Sequence, residues 1–291
     1  MRAAFLGLFF TVLVSLLTGC GGGSSGSGKT LEIADIGWTE NTAIAHLTKV
    51  LLEEELGYEE VTINTTDLNS VYDGVAKGDL DAFQDVWLPN QQDLLISVKD
   101  DVEHLTFSYQ GQTEQGIAVP TYMDATTLEQ LNESKVDMIF GIEPGSVIMD
   151  RIYEEVIPTY GLKQKLVQAS TDGMLYEADV HYNHQEEFAL VAWSPHWMNQ
   201  KYDLRYLEDP KDAFGELNDP ATISTIVNEN LPENDPEAYA FMDALMLDEE
   251  HINDLEITIN EVGDPPEGAE QWAQENPDVW QPWVEAAQNN Q

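Results

Sequence analysis

The alternation of short apolar strands with helical stretches is the feature that most limits what this chain can fold into. Leu31 to Ile36 alternates as a half-buried strand does, Gly37 breaks it, and Thr39-Glu40-Asn41 opens a helix whose Ile44, Leu47, Val50 and Leu51 share one face. Gly57 stops that helix; Val61-Thr62-Ile63 predicts a second strand, Ser70 to Ala76 a short helix, and Leu80 to Trp87 a strand running into Leu88-Pro89. Alternation of this kind predicts an α/β fold, a mostly parallel sheet with helices on its faces and ligands beyond the carboxyl ends of the strands. Gly116 to Pro120 reads as an apolar strand at a crossing between two lobes. A second α/β unit follows: a strand from Val136 to Ile142, the turn Glu143-Pro144-Gly145, a helix from about Ser146 to Tyr160, and the strand Phe188 to Trp193. Residues 205–220 look like the return connection, and the remainder reads as helices punctuated by prolines. The expected division is one lobe of residues 30–118 plus 211–291 and a second of residues 119–210.

Ahead of these elements, Arg2 precedes an apolar run from Ala3 to Leu17 that is too short to span a bilayer as a mature helix. Residues 1–19 therefore read as a signal peptide. Leu17-Thr18-Gly19-Cys20 resembles the lipobox of bacterial lipoproteins, which implies a lipid-bearing Cys20, an exported protein and attachment to the membrane through that lipid. Gly/Ser-rich residues 20–29 have no apolar surface to bury and predict a flexible tether. Cys20 is the only cysteine, so no disulfide can form within the chain.

The charge balance is extreme: 54 Asp and Glu face 12 Lys and Arg, for a formal net charge of −42. Self-repulsion on this scale excludes nucleic acid and anionic membrane surfaces as partners. An apolar fraction of 42% with seven tryptophans is too rich for a disordered chain, so the acidity reads as adaptation to concentrated salt, where counter-ions screen carboxylates. The melting temperature is expected to rise from low to molar salt in a calorimetric scan; an indifferent melting point would contradict this reading. Past Arg2 only Arg151 and Arg205 are arginines, which leaves few bidentate clamps for phosphate or dicarboxylate ligands.

Four segments in order carry a resemblance: Gly37-Trp38-Thr39-Glu40-Asn41, Asp85-Val86-Trp87-Leu88-Pro89-Asn90, Gly141-Ile142-Glu143-Pro144-Gly145-Ser146 and Trp193-Ser194-Pro195-His196-Trp197-Met198. They are similar to the signature segments of the glycine betaine and choline family of ABC-transporter substrate-binding proteins. The resemblance continues through Lys201 to Leu204 and Leu207 to Pro210, and covers nearly all of the mature chain. It implies a two-lobed periplasmic-binding-protein fold of type II that closes on a small quaternary-ammonium ligand (glycine betaine, proline betaine or choline) and docks on ABC permease subunits. A choline-specific protein and a ligand-sensing lipoprotein are the alternatives it leaves open.

A trimethylammonium group carries charge but no N–H, so aromatic faces rather than hydrogen bonds must hold it. Trp38, Trp87 and Trp193 each end a predicted strand, where ligands bind, and in similar proteins tryptophans at these places form a cage. The ligand carboxylate needs donors, and the helix start at Ser146, Val147 and Ile148 offers free amides after the permissive Gly145. Similar betaine binders often carry a histidine where this chain has Gln92, a neutral donor. Glu40 sits where choline-binding relatives have an acid, although a place in the first helical turn suffices to explain it. Tyr109 and His196 are further candidates for the wall of the site. Trp197 reads equally as support or core, and Trp272, Trp280 and Trp283 as packing. Enzyme readings find no support: His181, His184, Glu186 and Glu187 lack a third ligand at metal-site spacing, Ser194 and His196 are too close along a strand exit to pair as nucleophile and base, and neither a Gly-x-Ser-x-Gly elbow nor a phosphate loop occurs. No cofactor and no metal is expected.

Overall fold

A computed structural model describes residues 28–290. The signal segment, Cys20 and the tether up to Ser27 lie outside the described residues. The expected tether ends earlier than residue 29: the Lys29 carbonyl accepts from Glu59 N–H at 2.8 Å and its ammonium pairs with Glu237 and lies 5.3 Å from the Tyr58 ring centroid.

Two five-stranded sheets form two α/β lobes. The first runs β2 (Glu60–Thr65), β1 (Thr30–Asp35), β3 (Ala82–Leu88), β11 (Thr222–Asn228), β4 (Val102–Phe107). Strands β1, β2 and β3 are parallel, as crossover helices Thr39–Glu55 and Leu68–Lys77 require, whereas β11 lies antiparallel between β3 and β4. The second sheet runs β10 (Leu204–Tyr206), β6 (Glu114–Pro120), β9 (Ala189–Ser194), β7 (Met138–Phe140), β8 (Lys165–Val167). A two-residue parallel ladder, β5 (Tyr109–Gln110) with β12 (Leu247–Asp248), stands apart from both. Both faces of the central strands β3 and β9 are buried, and β9 reads as a near-continuous apolar run, whereas β3 buries Gln84 and Asp85 as well.

Two sequence expectations are corrected here. Residues 222–228 are a strand, not part of a helical tail; Ile223, Ile226 and Val227 are fully buried against β3 and β4, and tertiary pairing decides their state. The lobe boundary expected between residues 118 and 119 falls inside β6, all of which pairs with β9 and β10, so the chain crosses before Glu114. The C-terminal helices Glu249–Val262 and Pro265–Glu275 pack on helix Thr39–Glu55 of the first lobe, where Trp272 is buried, and the last helix, Pro277–Gln288, packs on helix Pro236–Ala244 and buries Trp280 and Trp283.

Candidate functional site

Each of three tryptophans is delivered by a strand end. Past β1, Gly37 takes φ 83°, a conformation open to glycine, and Asp35 Oδ1 accepts both Gly37 N–H (2.8 Å) and the Thr42 hydroxyl (3.0 Å). Asn41 Oδ1 reaches back to Ile36 N–H at 2.8 Å, so the turn that presents Trp38 is tied from both sides. Trp87 is the next-to-last residue of β3 and Trp193 of β9, and each strand runs into a cis Xaa-Pro bond, Leu88–Pro89 and Ser194–Pro195. In the second lobe, which also carries Trp193, Gly145 (φ 90°) turns the chain into the helical stretch that starts at Val147, with Ser146 in extended conformation ahead of it.

These parts converge on one cleft of about 400 Å³ of empty space, its mouth included. Trp38, Glu40, Trp87, Asn90 and Gln91 line it from the first lobe, and Gln115, Ile142, Ser146, Val147, Ile148 and Trp193 from the second. No lysine or arginine is among them. Hydrogen bonds cross the cleft between the lobes: Trp193 Nε1 donates to Glu40 Oε2 (3.0 Å), Asn90 Nδ2 to Gln115 Oε1 (3.0 Å), and His196 Nε2 meets Thr39 Oγ1 (2.9 Å). Since Met198 N–H donates to His196 Nδ1 at 3.0 Å, the imidazole carries its proton on Nε2 and donates it to Thr39.

Three candidates fall outside the lining. Gln92 is exposed at the start of helix Gln92–Val98, because the turn made by Gln91 N–H on the Trp87 carbonyl and Gln92 N–H on the Pro89 carbonyl points Gln91 inward instead. Gln91 is buried, its Oε1 accepting from the Tyr72 hydroxyl at 2.6 Å. Tyr109 is packed in the core as part of the small β5–β12 ladder, paired with Leu247, its hydroxyl donating to the Gln112 carbonyl at 3.3 Å. His196 backs the site without lining it, its ring edge-on to Trp193 at 4.7 Å.

The profile of the substrate-binding domain of ABC-type glycine betaine transport systems matches residues 29–275. The chain belongs to that family. It is 31% identical over 163 residues to the glycine betaine/carnitine transport binding protein GbuC of Listeria monocytogenes, a match that covers 55% of this chain and 52% of that protein. The chain thus spans about half the length of that curated relative. Among solved structures it resembles lactococcal OpuAC in its closed form with glycine betaine (TM-score 0.77, 28% identity, 88% of this chain and 99% of that one). A choline binding protein in an unliganded, semi-closed conformation gives a TM-score of 0.72 at 25% identity, covering 88% of this chain and 91% of that one.

In this family member the cleft is electrostatically one-sided. Glu40 is 1% exposed, and burial, reinforced by nearby Glu143, raises its pKa to about 7. Asp85, fully buried beneath Trp87, accepts from Trp87 Nε1 at 2.8 Å; burial and then the charge of Glu40 push it well above the usual carboxylate range. Burial drives His196 down to about 3, so it is neutral at any working pH. Asn90, Gln91, Gln115 and Asp85 were not singled out from the sequence. Asp85 and Asn90 stood there only as the two ends of one of the four segments, with Asp85 an acid next to Gln84 inside a strand of otherwise apolar residues.

Proposed function

We propose that the protein is the extracytoplasmic solute receptor of an ABC importer and that it captures a quaternary-ammonium osmolyte, glycine betaine foremost, between its lobes. The observation that carries this reading is the convergence of Trp38, Trp87 and Trp193 on a cleft with no cationic side chain, faced by the helix start at Ser146. Three indole faces suit a cation that cannot be hydrogen-bonded, and the first amides of a helix suit a carboxylate without any arginine. Family membership and the likeness to the lactococcal glycine betaine complex support the same ligand. Release to permease subunits follows from the family; anchoring through a lipid on Cys20, with export by the N-terminal segment, completes the proposal. Among the described residues no helix is long and apolar enough to cross a membrane.

Choline is the second reading, favoured by Glu40 in the cleft wall: a carboxylate there repels the acid of a betaine and leaves choline unpenalised. Calorimetric titration with glycine betaine, proline betaine, choline and carnitine separates the two. The expected result is tightest binding of a betaine; choline binding tenfold tighter than glycine betaine would establish the second reading, and silence from all four would remove both.

A further inference from the structure

Three buried carboxyl groups behind the tryptophans have no cation to face. Glu40 and Glu256 are 1% exposed and Asp85 is fully buried. Each commits one oxygen to a tryptophan: Glu40 Oε2 to Trp193 Nε1, Asp85 Oδ1 to Trp87 Nε1, and Glu256 Oε2 to the backbone N–H of Trp197 at 2.7 Å. The other oxygen of each, Glu40 Oε1, Asp85 Oδ2 and Glu256 Oε1, is buried without a partner. Glu40 is also part of the cleft wall, so the cluster reaches the space in which a ligand would sit.

The groups around the cluster offer it no counter-charge. Asp35 at the end of β1 and Glu143 in the turn after β7 are acids, and His196, from the loop after β9, is a neutral ring that donates to Thr39. Glu40 and Asp85 repel each other, and Glu256 adds to the repulsion on both sides. Three mutually repelling carboxylates at low dielectric cannot all ionise, so the empty cleft must hold protons. Burial keeps Glu40 near 7 and Glu256 well above its usual range, the direction that proton retention demands.

We propose that a bound quaternary ammonium ion is the counter-charge of this cluster, and that its capture expels a proton from the Glu40, Asp85 and Glu256 group to solvent. The inference rests on the reading of the cleft as a quaternary-ammonium site. No covalent bond to the ligand changes: a carboxyl O–H ionises, the proton passes to buffer, and the carboxylate remains beside the cation. A cation next to Glu40 favours its ionised form and lowers its pKa; the free protein therefore holds more protons than the complex below about pH 7. Affinity must then rise with pH up to that point and level off above it. Choline and tetramethylammonium should show the effect fully, whereas the acid of glycine betaine offsets part of the field.

The test is calorimetry on the intact protein in molar salt, with tetramethylammonium, choline and glycine betaine titrated at about pH 6, 7 and 8 in phosphate and in an amine buffer suited to each pH (Bis-Tris at about 6 and 7, Tris at about 8), whose ionisation enthalpies differ from that of phosphate. The expected result is a buffer-dependent heat at the lowest pH that corresponds to release of close to one proton per tetramethylammonium or choline, fading by about pH 8. Affinity should tighten by up to about fivefold from about pH 6 to 7 and by up to about tenfold from about pH 6 to 8. Glu40→Gln should flatten the pH profile and reduce the buffer dependence, and the wild-type measurement stands by itself if that variant does not fold. Buffer-independent heats and a flat affinity, with the cations still binding, would overturn the inference and leave the receptor reading intact. Failure of all three probes to bind at any pH would remove the receptor reading, and this inference with it.

Discussion

Trp193→Ala is expected to weaken glycine betaine binding by about 300-fold or more. Two losses combine. A desolvated cation–π contact is worth about 2 kcal/mol, and a hydrogen bond to a charged group about 1.5 to 3 kcal/mol. Trp193 provides both, since its indole walls the cleft and its Nε1 donates across the lobes to Glu40 Oε2, whose other oxygen already lacks a partner. The substitution removes the wall, unties one lobe from the other, and strands a buried carboxyl. Trp193→Phe separates the terms: a ring remains but the cross-cleft donor is gone, so a loss nearer tenfold is expected. Calorimetry on variants with wild-type circular dichroism measures both. Binding by Trp193→Ala within about threefold of wild type would mean that the ligand sits elsewhere.

How far the sequence revealed this site depended on where each residue stands in a strand. Trp38, Trp87 and Trp193 could be placed on the page because each interrupts a strong apolar pattern, and strand ends in an open α/β sheet meet at one edge. The helix start at Ser146 was legible for the same reason, as Gly145 marks the turn. Gln92 was misplaced because a shift of one position in a turn exchanges an inward for an outward side chain, and the choice of Gln91 is made by Tyr72, which is remote in sequence and fixed only by packing. Residues 222–228 were hidden for a related reason: a strand inserted antiparallel between β3 and β4 is stabilised by partners more than 100 residues away. The carboxylate cluster depends on Glu256, contributed by a helix near the C-terminus, and on burial that no local pattern encodes.

Val147→Pro should weaken glycine betaine by about tenfold to 100-fold while changing choline by no more than about twofold. The substitution deletes a single donor with little disturbance. Val147 is the first residue of its helical stretch, where an amide has no partner within the helix and proline is well tolerated. Ser146 already has φ −69° and ψ 140°, the extended conformation that a following proline imposes, so the backbone ahead of the change need not move. Val147 is only partly buried and close to proline in size, which limits the loss of packing. A betaine loses a hydrogen bond to its carboxylate, whereas choline, which has no carboxylate, has none to lose. The ratio of the two affinities is the quantity to measure, because damage to the cage lowers both together. An unchanged ratio would remove the helix start at Ser146 as the carboxylate site and shift the choice of ligand towards choline, with Glu40 in the cleft wall as the group that favours it.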